Sequence, residues 1–230
     1  GRQKLYVRRV FIADDAQLLP PYLRFVRGVV DSADMPLNLS REMLQNNPDV
    51  AAVRKALTNR VLQELKKLAD KDGDGFAKLW SLYAPVIKEG LYEDHERREQ
   101  ILEFARFAST TADSLTLKDY VGRLKENQTA IYYITAEDAA KAKASPQLEG
   151  YRSRGIEVPV DGFWVRTAMG FDGKPFVPVN QGLSDLDKIK PAEAGNDKPD
   201  DDPAIVTLVA AMKDALGARV SDVRISNRLT

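Results

Sequence analysis

The sequence predicts an α/β fold, and two segments carry this prediction. Residues 48–72 place apolar side chains three or four residues apart, from Val50 to Leu68, which is typical of a long amphipathic helix. Residues 130–135 form an apolar, strand-like run, and a second short strand is predicted at 156–158 after intervening helical segments. This strand–helix–strand order implies parallel strands in a mostly buried sheet.

The elements before the long helix are shorter. Residues 5–12 are rich in β-branched and aromatic side chains and predict one strand, which ends at the turn signal Asp14-Asp15. A short helix is predicted to begin at Pro20-Pro21, because apolar residues then recur at helical spacing. The segment 31–36 ends this helix.

The long helix and those after it follow from capping residues and spacing. Asn47 is a favoured N-cap and Pro48 is favoured at the first helical position, while Gly73 ends the helix. Further helices are predicted at 74–89, 93–108, 117–125, 137–144 and 147–154.

The last fifth of the chain changes in composition. Apolar residues become scarce at 183–203, where prolines alternate with acidic side chains, and this predicts a solvated acidic linker. An amphipathic helix at 205–216 and a strand at 220–225 follow. Because a domain rarely stops one strand after a helix, we expect the chain to be a piece of a longer protein.

Composition excludes several classes of function. Lysine plus arginine and aspartate plus glutamate number 34 each, so the zero net charge argues against binding to nucleic acid. Cysteine is absent, which excludes disulfides, thiolate metal sites and cysteine nucleophiles. The single histidine, His95, makes a zinc cluster or a Ser-His-Asp triad unexpected. Without a signal segment or an apolar run of roughly 20 residues, we expect a cytoplasmic protein that has no membrane contact.

One segment resembles part of a calcium-binding loop. Asp70, Asp72 and Asp74 stand at the first, third and fifth ligand positions of an EF-hand loop, and Gly75 stands at the sixth. The twelfth position, which supplies a bidentate carboxylate in such loops, is Ser81. The alternative is a polar turn between two helices, and we predict no metal site.

Arg41 is the candidate catalytic residue that the sequence itself suggests. It is a long cation in a short segment between an extended stretch and a helix, where it could reach a phosphate on another domain. The alternative is a surface arginine that pairs with Glu42 or Asp34. The chain has no glycine-rich phosphate-binding motif of its own.

Three segments have a distinctive sequence: LYVRRVFI at 5–12, YLRFVRGVVDS at 22–32 and LNLSRE at 37–42. Together they resemble the middle domain of the 90-kDa heat-shock chaperone family. The resemblance continues at 88–90, 106–109, 131–134, 171–176 and 220–224. It implies a two-part α/β middle domain: part of a larger βαβ-type domain, a long connecting helix, and a smaller α/β subdomain with a parallel sheet.

The resemblance also implies a division of the chain. Residues 1–73 would be the C-terminal part of the large middle subdomain, with the catalytic loop and the long helix. Residues 74–182 would form the small subdomain, and 183–203 the acidic linker. Residues 204–230 would begin the C-terminal dimerisation domain.

An ATP-driven chaperone is the implied activity. ATP and Mg²⁺ would be bound mainly by an N-terminal domain that this chain does not contain, so the chain alone would bind neither and would be inactive. The family completes its ATPase site with a loop arginine and a nearby glutamine of the middle domain, and these positions match Arg41 and Gln45. A guanidinium can stabilise charge on the transferring phosphoryl group, and a movable loop makes hydrolysis depend on domain closure.

Client binding is implied for a stretch late in the chain. The corresponding residues are Phe163, Trp164 and Arg166, and exposed aromatics beside charge suit weak binding of partly unfolded chains. The alternative is that Phe163 and Trp164 cover the small sheet, because large aromatics are mostly buried.

The implied partners are client proteins, the family's N-terminal domain and a second copy bound through the C-terminal domain. Neither nucleic acid nor a membrane is expected among them. The alternative function is a non-enzymatic protein-interaction module, in one form calcium-responsive through residues 70–75.

Overall fold

The chain folds into two compact units, each with strands and helices. A computed structural model describes residues 3–14, 16–37, 44, 46–136, 139–161, 165, 168–190, 203–220 and 223. The first unit comprises Gly1–Phe107, Ser114–Asp119 and Phe163–Asp172, and the second Ala108–Asp113, Tyr120–Gly162 and Gly173–Thr230. The mixture of strands and helices confirms the predicted α/β class. No helix within the described ranges is long and apolar enough to cross a membrane.

The sheet of the first unit has three strands in the order β2-β1-β3. They are β1 (Gln3–Val7), β2 (Val10–Asp14) and β3 (Gly28–Ser32). The predicted single strand at 5–12 is wrong, because the chain reverses at Arg8 and Arg9 to make a β1–β2 hairpin. Both arginines have positive φ angles, 49° and 67°, which a two-residue hairpin turn requires and which Asn and Gly usually supply.

Hydrogen bonds to the end of β3 hold this unusual turn. The backbone N of Arg8 donates to Ser32 O at 3.0 Å, and its Nε donates to Ala33 O at 3.1 Å. The backbone N of Arg9 donates to Asp31 Oδ1 at 3.1 Å. These bonds offset the left-handed conformation, which costs roughly 1–2 kcal/mol for a residue with a Cβ.

The short helix predicted from Pro20-Pro21 onward is wrong as well. Only Pro21–Leu23 is helical, as a single 3-10 turn, whereas Gly28–Ser32 is β3 and runs parallel to β1. Val29 and Val30 fit a helical spacing, but β-branched side chains favour extended backbone. The pairing of residues 28–32 with the central strand, β1, therefore makes this segment a strand and not a helix.

Three helices follow the sheet: α1 (Pro48–Lys71), α2 (Gly73–Glu93) and α3 (Arg98–Phe104). The predicted cap of α1 is confirmed, since Asn47 Oδ1 accepts hydrogen bonds from Asp49 N at 2.7 Å and Val50 N at 3.3 Å. Helix α2 is longer than the predicted 74–89, and α3 is shorter than the predicted 93–108. A turn from Asp94 to Arg97, with Arg97 N donating to Asp94 O at 3.2 Å, separates the two.

The apolar core of the first unit joins the sheet to the start of α1. Its buried members are Leu5, Val7, Ala16, Leu18, Met35, Leu44 and Val50. An aromatic group of Phe76, Trp80 and Phe104 packs between α2 and α3. Helix α2 also approaches Tyr22 at Gly90, where a Cβ would lie 2.9 Å from the tyrosine ring, so this contact requires glycine.

The second unit contains a mainly parallel sheet. Strand β5 (Ile131–Thr135) is parallel to β6 (Pro159–Asp161) and to β8 (Lys174–Pro178), while β4 (Ala108–Ser109) pairs antiparallel with β6. The predicted parallel strand order is therefore confirmed, although the second strand lies at 159–161 and not at 156–158. Helices α5 (Ala139–Lys143) and α6 (Glu149–Arg152) also belong to this unit, whereas α4 (Leu117–Val121) is divided between the two units and β7 (Gly170–Phe171) is assigned to the first.

A separate apolar core fills the second unit. Its buried residues are Ala130, Tyr132, Leu148, Tyr151, Ile156, Val158, Val179, Leu186 and Ile189. The last two fall within the predicted linker 183–203, so the first part of that segment is folded and includes α7 (Leu183–Leu186). Arg154 Nε donates to Leu186 O at 2.7 Å and to Ile189 O at 3.1 Å. The side chains of Leu186 and Ile189 are thus buried although acidic residues stand near them in the sequence. Residues 191–202 lie outside the described ranges.

The predicted amphipathic helix is α8 (Pro203–Leu216), and a 3-10 turn at Gly217–Arg219 follows it. Several of its apolar side chains are exposed: Val206, Leu208, Met212 and Leu216. Of the strand predicted at 220–225, the described residues are Val220 and Val223, and neither is in a strand.

We expect Asn47→Ala to lower the free energy of unfolding by about 1 kcal/mol, because two backbone N–H groups at the start of α1 lose their acceptor. Urea unfolding followed by circular dichroism measures this change. Asn46→Ala is the matched control, since Asn46 is exposed and makes no hydrogen bond to the described residues. Equal effects of the two substitutions would contradict the capping role.

Three buried tyrosines predict a loss of stability at alkaline pH. Burial, followed by the hydrogen bond to Asp94, raises the pKa of Tyr22, burial raises the pKa of Tyr120, and burial raises that of Tyr132 to about 12. The unfolded chain therefore ionises at lower pH than the folded chain does. We expect the free energy of unfolding to fall above about pH 10, by about 1.4 kcal/mol per pH unit for each tyrosine.

Tyr22→Phe isolates one of these contributions. The variant cannot ionise at this position, so its free energy of unfolding should fall less steeply above pH 10 than that of the wild type. At neutral pH it should lose about 1 kcal/mol, because the hydrogen bond to Asp94 is gone. Urea unfolding at pH 7, 10 and 11 measures both effects, and identical alkaline slopes would refute the assignment.

Candidate functional site

The two residues predicted to be catalytic, Arg41 and Gln45, lie outside the described residues. Leu44, between them in sequence, is described, and so is Asn47, which caps α1. The surroundings of Leu44 therefore define the candidate site, because Leu44 directly precedes Gln45 and lies three residues after Arg41 in the sequence.

Leu44 is held by its side chain and by its backbone. Its side chain is only 5% exposed and belongs to the core of the first unit, together with Leu5 and Val50. Its carbonyl oxygen accepts a hydrogen bond from Arg54 Nη2 at 3.2 Å. Arg54 Nε donates in turn to Gln17 O at 3.1 Å. One guanidinium thus links Leu44, α1 and the segment before the 3-10 turn.

Arg54 reaches this position because of its place on α1. It lies four residues after Val50 and four residues before Thr58, both of which are buried, so it shares the inward face of the helix. Thr58 Oγ1 donates to Arg54 O at 2.8 Å. The sequence analysis missed Arg54, although a basic residue within a buried helical stripe is the pattern that could have identified it.

Arg54 also lines a cleft of about 760 Å³ in the first unit. The other lining residues are Gln3, Gln17, Leu18, Leu19, Pro20, Pro21, Arg24, Lys55, Thr58, Asp94 and Arg97. Four of the lining side chains are cationic and one is a carboxylate, so the potential inside the cleft is positive.

Asp94 is at the centre of a network on one wall of this cleft. Tyr22 Oη donates to Asp94 Oδ2 at 2.7 Å, and Arg97 Nη1 donates to the same oxygen at 3.0 Å. Arg97 Nε also donates to Asn59 Oδ1 at 2.7 Å. The side chains of Asp94 and Arg97 are about 15% exposed, so this pair is shielded from salt more than a surface pair would be.

A second ion pair joins the 3-10 turn to α2. Arg24 donates from Nη2 to Glu89 Oε1 at 2.8 Å and from Nη1 to Glu89 Oε2, in a two-pronged contact. The hydrogen bond from Arg24 lowers the pKa of Glu89, and Glu89 raises the pKa of Arg24. Bidentate geometry of this kind fixes the relative position of two elements as well as their charge.

The side chains of this cleft are better suited to binding backbone carbonyls and carboxylates than to transferring protons. The three arginines of the cleft have carboxylate or carbonyl partners, while Lys55 is exposed and contacts no polar group among the described residues. Nor does any group of three or more histidine, aspartate or glutamate side chains in those ranges have the geometry to hold a metal ion.

The calcium-like string does not form a loop. Asp70 lies in α1 and pairs with Lys66 at 3.0 Å, and Gly73 already begins α2. Asp72 caps α2 by accepting a hydrogen bond from Gly75 N at 2.9 Å. The calcium-responsive alternative is therefore wrong for this segment, which is the polar junction of two helices.

The predicted client-binding residues, Phe163, Trp164 and Arg166, lie outside the described residues. Two neighbours are described: Val165 is buried, whereas the side chain of Met169 is 90% exposed. The sequence analysis missed Met169, for which a lone methionine in a polar stretch is a weak signal. An exposed, flexible methionine suits contact with varied apolar sequences.

Comparison with known proteins places these features in a family. The Hsp90 protein family model matches residues 2–230. The chain is 54% identical to the chaperone protein HtpG of Nitrobacter winogradskyi over 99% of its length, and it covers 37% of that protein. It is 55% identical to the chaperone protein HtpG of Rhizobium meliloti over its whole length, covering 38% of that protein. It thus spans less than two fifths of the curated relatives that it matches.

A solved structure agrees with the family match. The middle domain of a heat shock protein from Plasmodium falciparum superposes with a TM-score of 0.68 at 27% identity, covering 77% of this chain and 72% of that one. The chain therefore belongs to the Hsp90 family, and its fold is that of the family's middle domain.

Proposed function

We propose that the chain is the middle region of an ATP-dependent chaperone that assists client folding in the cytoplasm. The carrying observation is the double anchoring of Leu44, in the core and by Arg54, between Arg41 and Gln45. Such anchoring fits a segment that must present side chains to a separate domain at a fixed place. Family membership supports the same function.

In this proposal Arg41 completes the ATPase site of an N-terminal domain outside this chain. That domain would hold ATP and Mg²⁺, which supply the phosphoryl group and part of its charge neutralisation. The guanidinium of Arg41 would donate two hydrogen bonds toward the charge that develops during transfer. The side-chain amide of Gln45 can both donate and accept, and would orient groups nearby. The chain alone would neither bind the nucleotide nor hydrolyse it.

We propose that client proteins bind around Phe163, Trp164 and Arg166, with Met169 as a further contact. The exposure of Met169 supports an accessible apolar surface here. Burial of one methionine side chain contributes roughly 1.5–3 kcal/mol, which suits weak and reversible binding of unfolded segments.

The proposed division of the chain keeps 1–73 and 74–182 as the two middle subdomains and starts a dimerisation domain at 204–230. The linker runs only from 190 to 203, because Leu186 and Ile189 are buried in the core of the second unit. The exposed apolar side chains of α8 support the last assignment, because Val206, Leu208 and Met212 are about half exposed on one short helix. Such a helix normally packs against further structure.

We expect Arg41→Ala in the full-length protein to lower ATP turnover by at least about tenfold, toward the roughly 10³-fold that arginine fingers supply. The dissociation constant for ATP should change by less than about twofold, because the other domain binds the nucleotide. Phosphate release and fluorescent-nucleotide titration measure the two quantities. Arg27→Ala, at an exposed arginine without a described partner, is the control. Unchanged turnover would refute the role proposed for Arg41.

Substitution of Met169 tests the client surface. We expect Met169→Ser to weaken binding of reduced, carboxymethylated lactalbumin to the full-length protein by about tenfold, since roughly 1.4 kcal/mol of apolar contact is lost. Fluorescence anisotropy of the labelled client measures the affinity. Leu82→Ser is the matched control, because Leu82 on α2 is also highly exposed. Equal losses in the two variants would indicate non-specific apolar binding.

A further inference from the structure

We propose that Arg54 is a positioning residue for the ATPase reaction and that it sets the peptide unit on which Gln45 is built. This inference rests on the proposed function. The Leu44 carbonyl that accepts from Arg54 Nη2 belongs to the same planar peptide as the nitrogen of Gln45. Fixing that carbonyl fixes the orientation of the plane from which Gln45 begins.

The geometry of an arginine is needed for this task. Its Nε and Nη2 hydrogens lie on one edge of a rigid plane and point in parallel, and they bond to Gln17 O at 3.1 Å and Leu44 O at 3.2 Å. Two carbonyls from separate segments are thus held at one spacing. Lysine has a single flexible ammonium, which cannot impose that spacing.

The second acceptor lies in a strained segment. Gln17 has a φ of 49°, in the left-handed region that costs a residue with a Cβ roughly 1–2 kcal/mol. The bond from Arg54 Nε stabilises this conformation, and Ala16 and Leu18 on either side are buried in the core. The segment around Gln17 is therefore held by the hydrogen bond from Arg54 and by the burial of the residue on each side of Gln17.

Helix α1 completes the frame. Asn47 caps the helix only three residues after Leu44, so the chain between the two anchors is short. Arg54 is held from the other side by the hydrogen bond of Thr58 to its carbonyl. Leu44 and Asn47 are thus anchored on either side of Gln45 in the sequence, and Arg41 lies three residues before Leu44.

The test is turnover in the full-length protein. We expect Arg54→Gln to lower kcat for ATP by about tenfold with KM within about twofold, because a small misplacement of a catalytic group costs up to roughly 10²-fold. Arg54→Lys, which keeps the charge, should lower kcat several-fold. Lys55→Gln removes the same charge from the next residue of the same cleft and should leave kcat unchanged.

Two further measurements separate positioning from general destabilisation. Hydrogen exchange of the peptide that contains residues 41–46 should be several-fold faster in Arg54→Gln and unchanged in Lys55→Gln. In a Gln45→Ala background, assayed by single turnover, Arg54→Gln should lower the rate by less than about twofold, because Arg54 acts through Gln45. If the Arg54→Gln protein does not fold, the same comparisons are made with Arg54→Lys.

Distinct results would overturn the inference. Wild-type kcat in Arg54→Gln, with Arg41→Ala impaired, would refute the positioning role and leave the proposed function standing. A full tenfold loss in the Gln45→Ala background would show that Arg54 acts elsewhere. Unimpaired turnover in Arg41→Ala would refute the role proposed for Arg41, whatever Arg54 does.

Discussion

The burial of Leu44 beside the first turn of α1 is the constraint on which the first unit depends. Its side chain shares one apolar core with Leu5 of the central strand and Val50 of the helix, so it contributes to the packing of the sheet against the helix. Because a close-packed core tolerates little displacement, the backbone at Leu44 is fixed to within the freedom of that packing. The hydrogen bond from Arg54 then removes the remaining rotation of its carbonyl group.

Charged side chains in the first unit form specific ion pairs. Arg24 with Glu89 joins the 3-10 turn to α2, and Arg97 with Asp94 closes the turn between α2 and α3. The two residues of each pair lie far apart in the sequence or on either side of a tight turn. The zero net charge of the chain therefore gives no sign of these specific contacts. Removing one partner would leave a partly buried charge without compensation, which costs more than the pair contributes. The pairs therefore specify geometry more than they supply stability.

The sequence predicted the features that depend on local chemistry, and it failed where distant contacts decide. Helix α1 was predicted with its cap, because Asn47 and the spacing of apolar residues are local signals. The hairpin at Arg8 and Arg9 was missed, because its turn is held by the end of β3 and not by a turn-forming sequence. The role of Arg41 came from resemblance to a family. No pattern could show the contacts of Arg54, because its acceptors are backbone carbonyls, which every residue carries.

A catalytic arginine on a separate domain makes a rate depend on domain arrangement, but only if the arginine is well placed when the domains meet. A free segment would lose conformational entropy at each encounter, roughly 1–2 kcal/mol per residue, and that loss would appear in the barrier. In the proposed arrangement, anchoring of the backbone at Leu44 and Asn47 would move most of this loss into folding. Two backbone hydrogen bonds from the Arg54 guanidinium would then contribute to a rate without touching the reacting atoms. The same logic explains why the anchor is an arginine within a buried helical stripe, where hydrogen bonding to carbonyls satisfies the charge that burial would otherwise penalise.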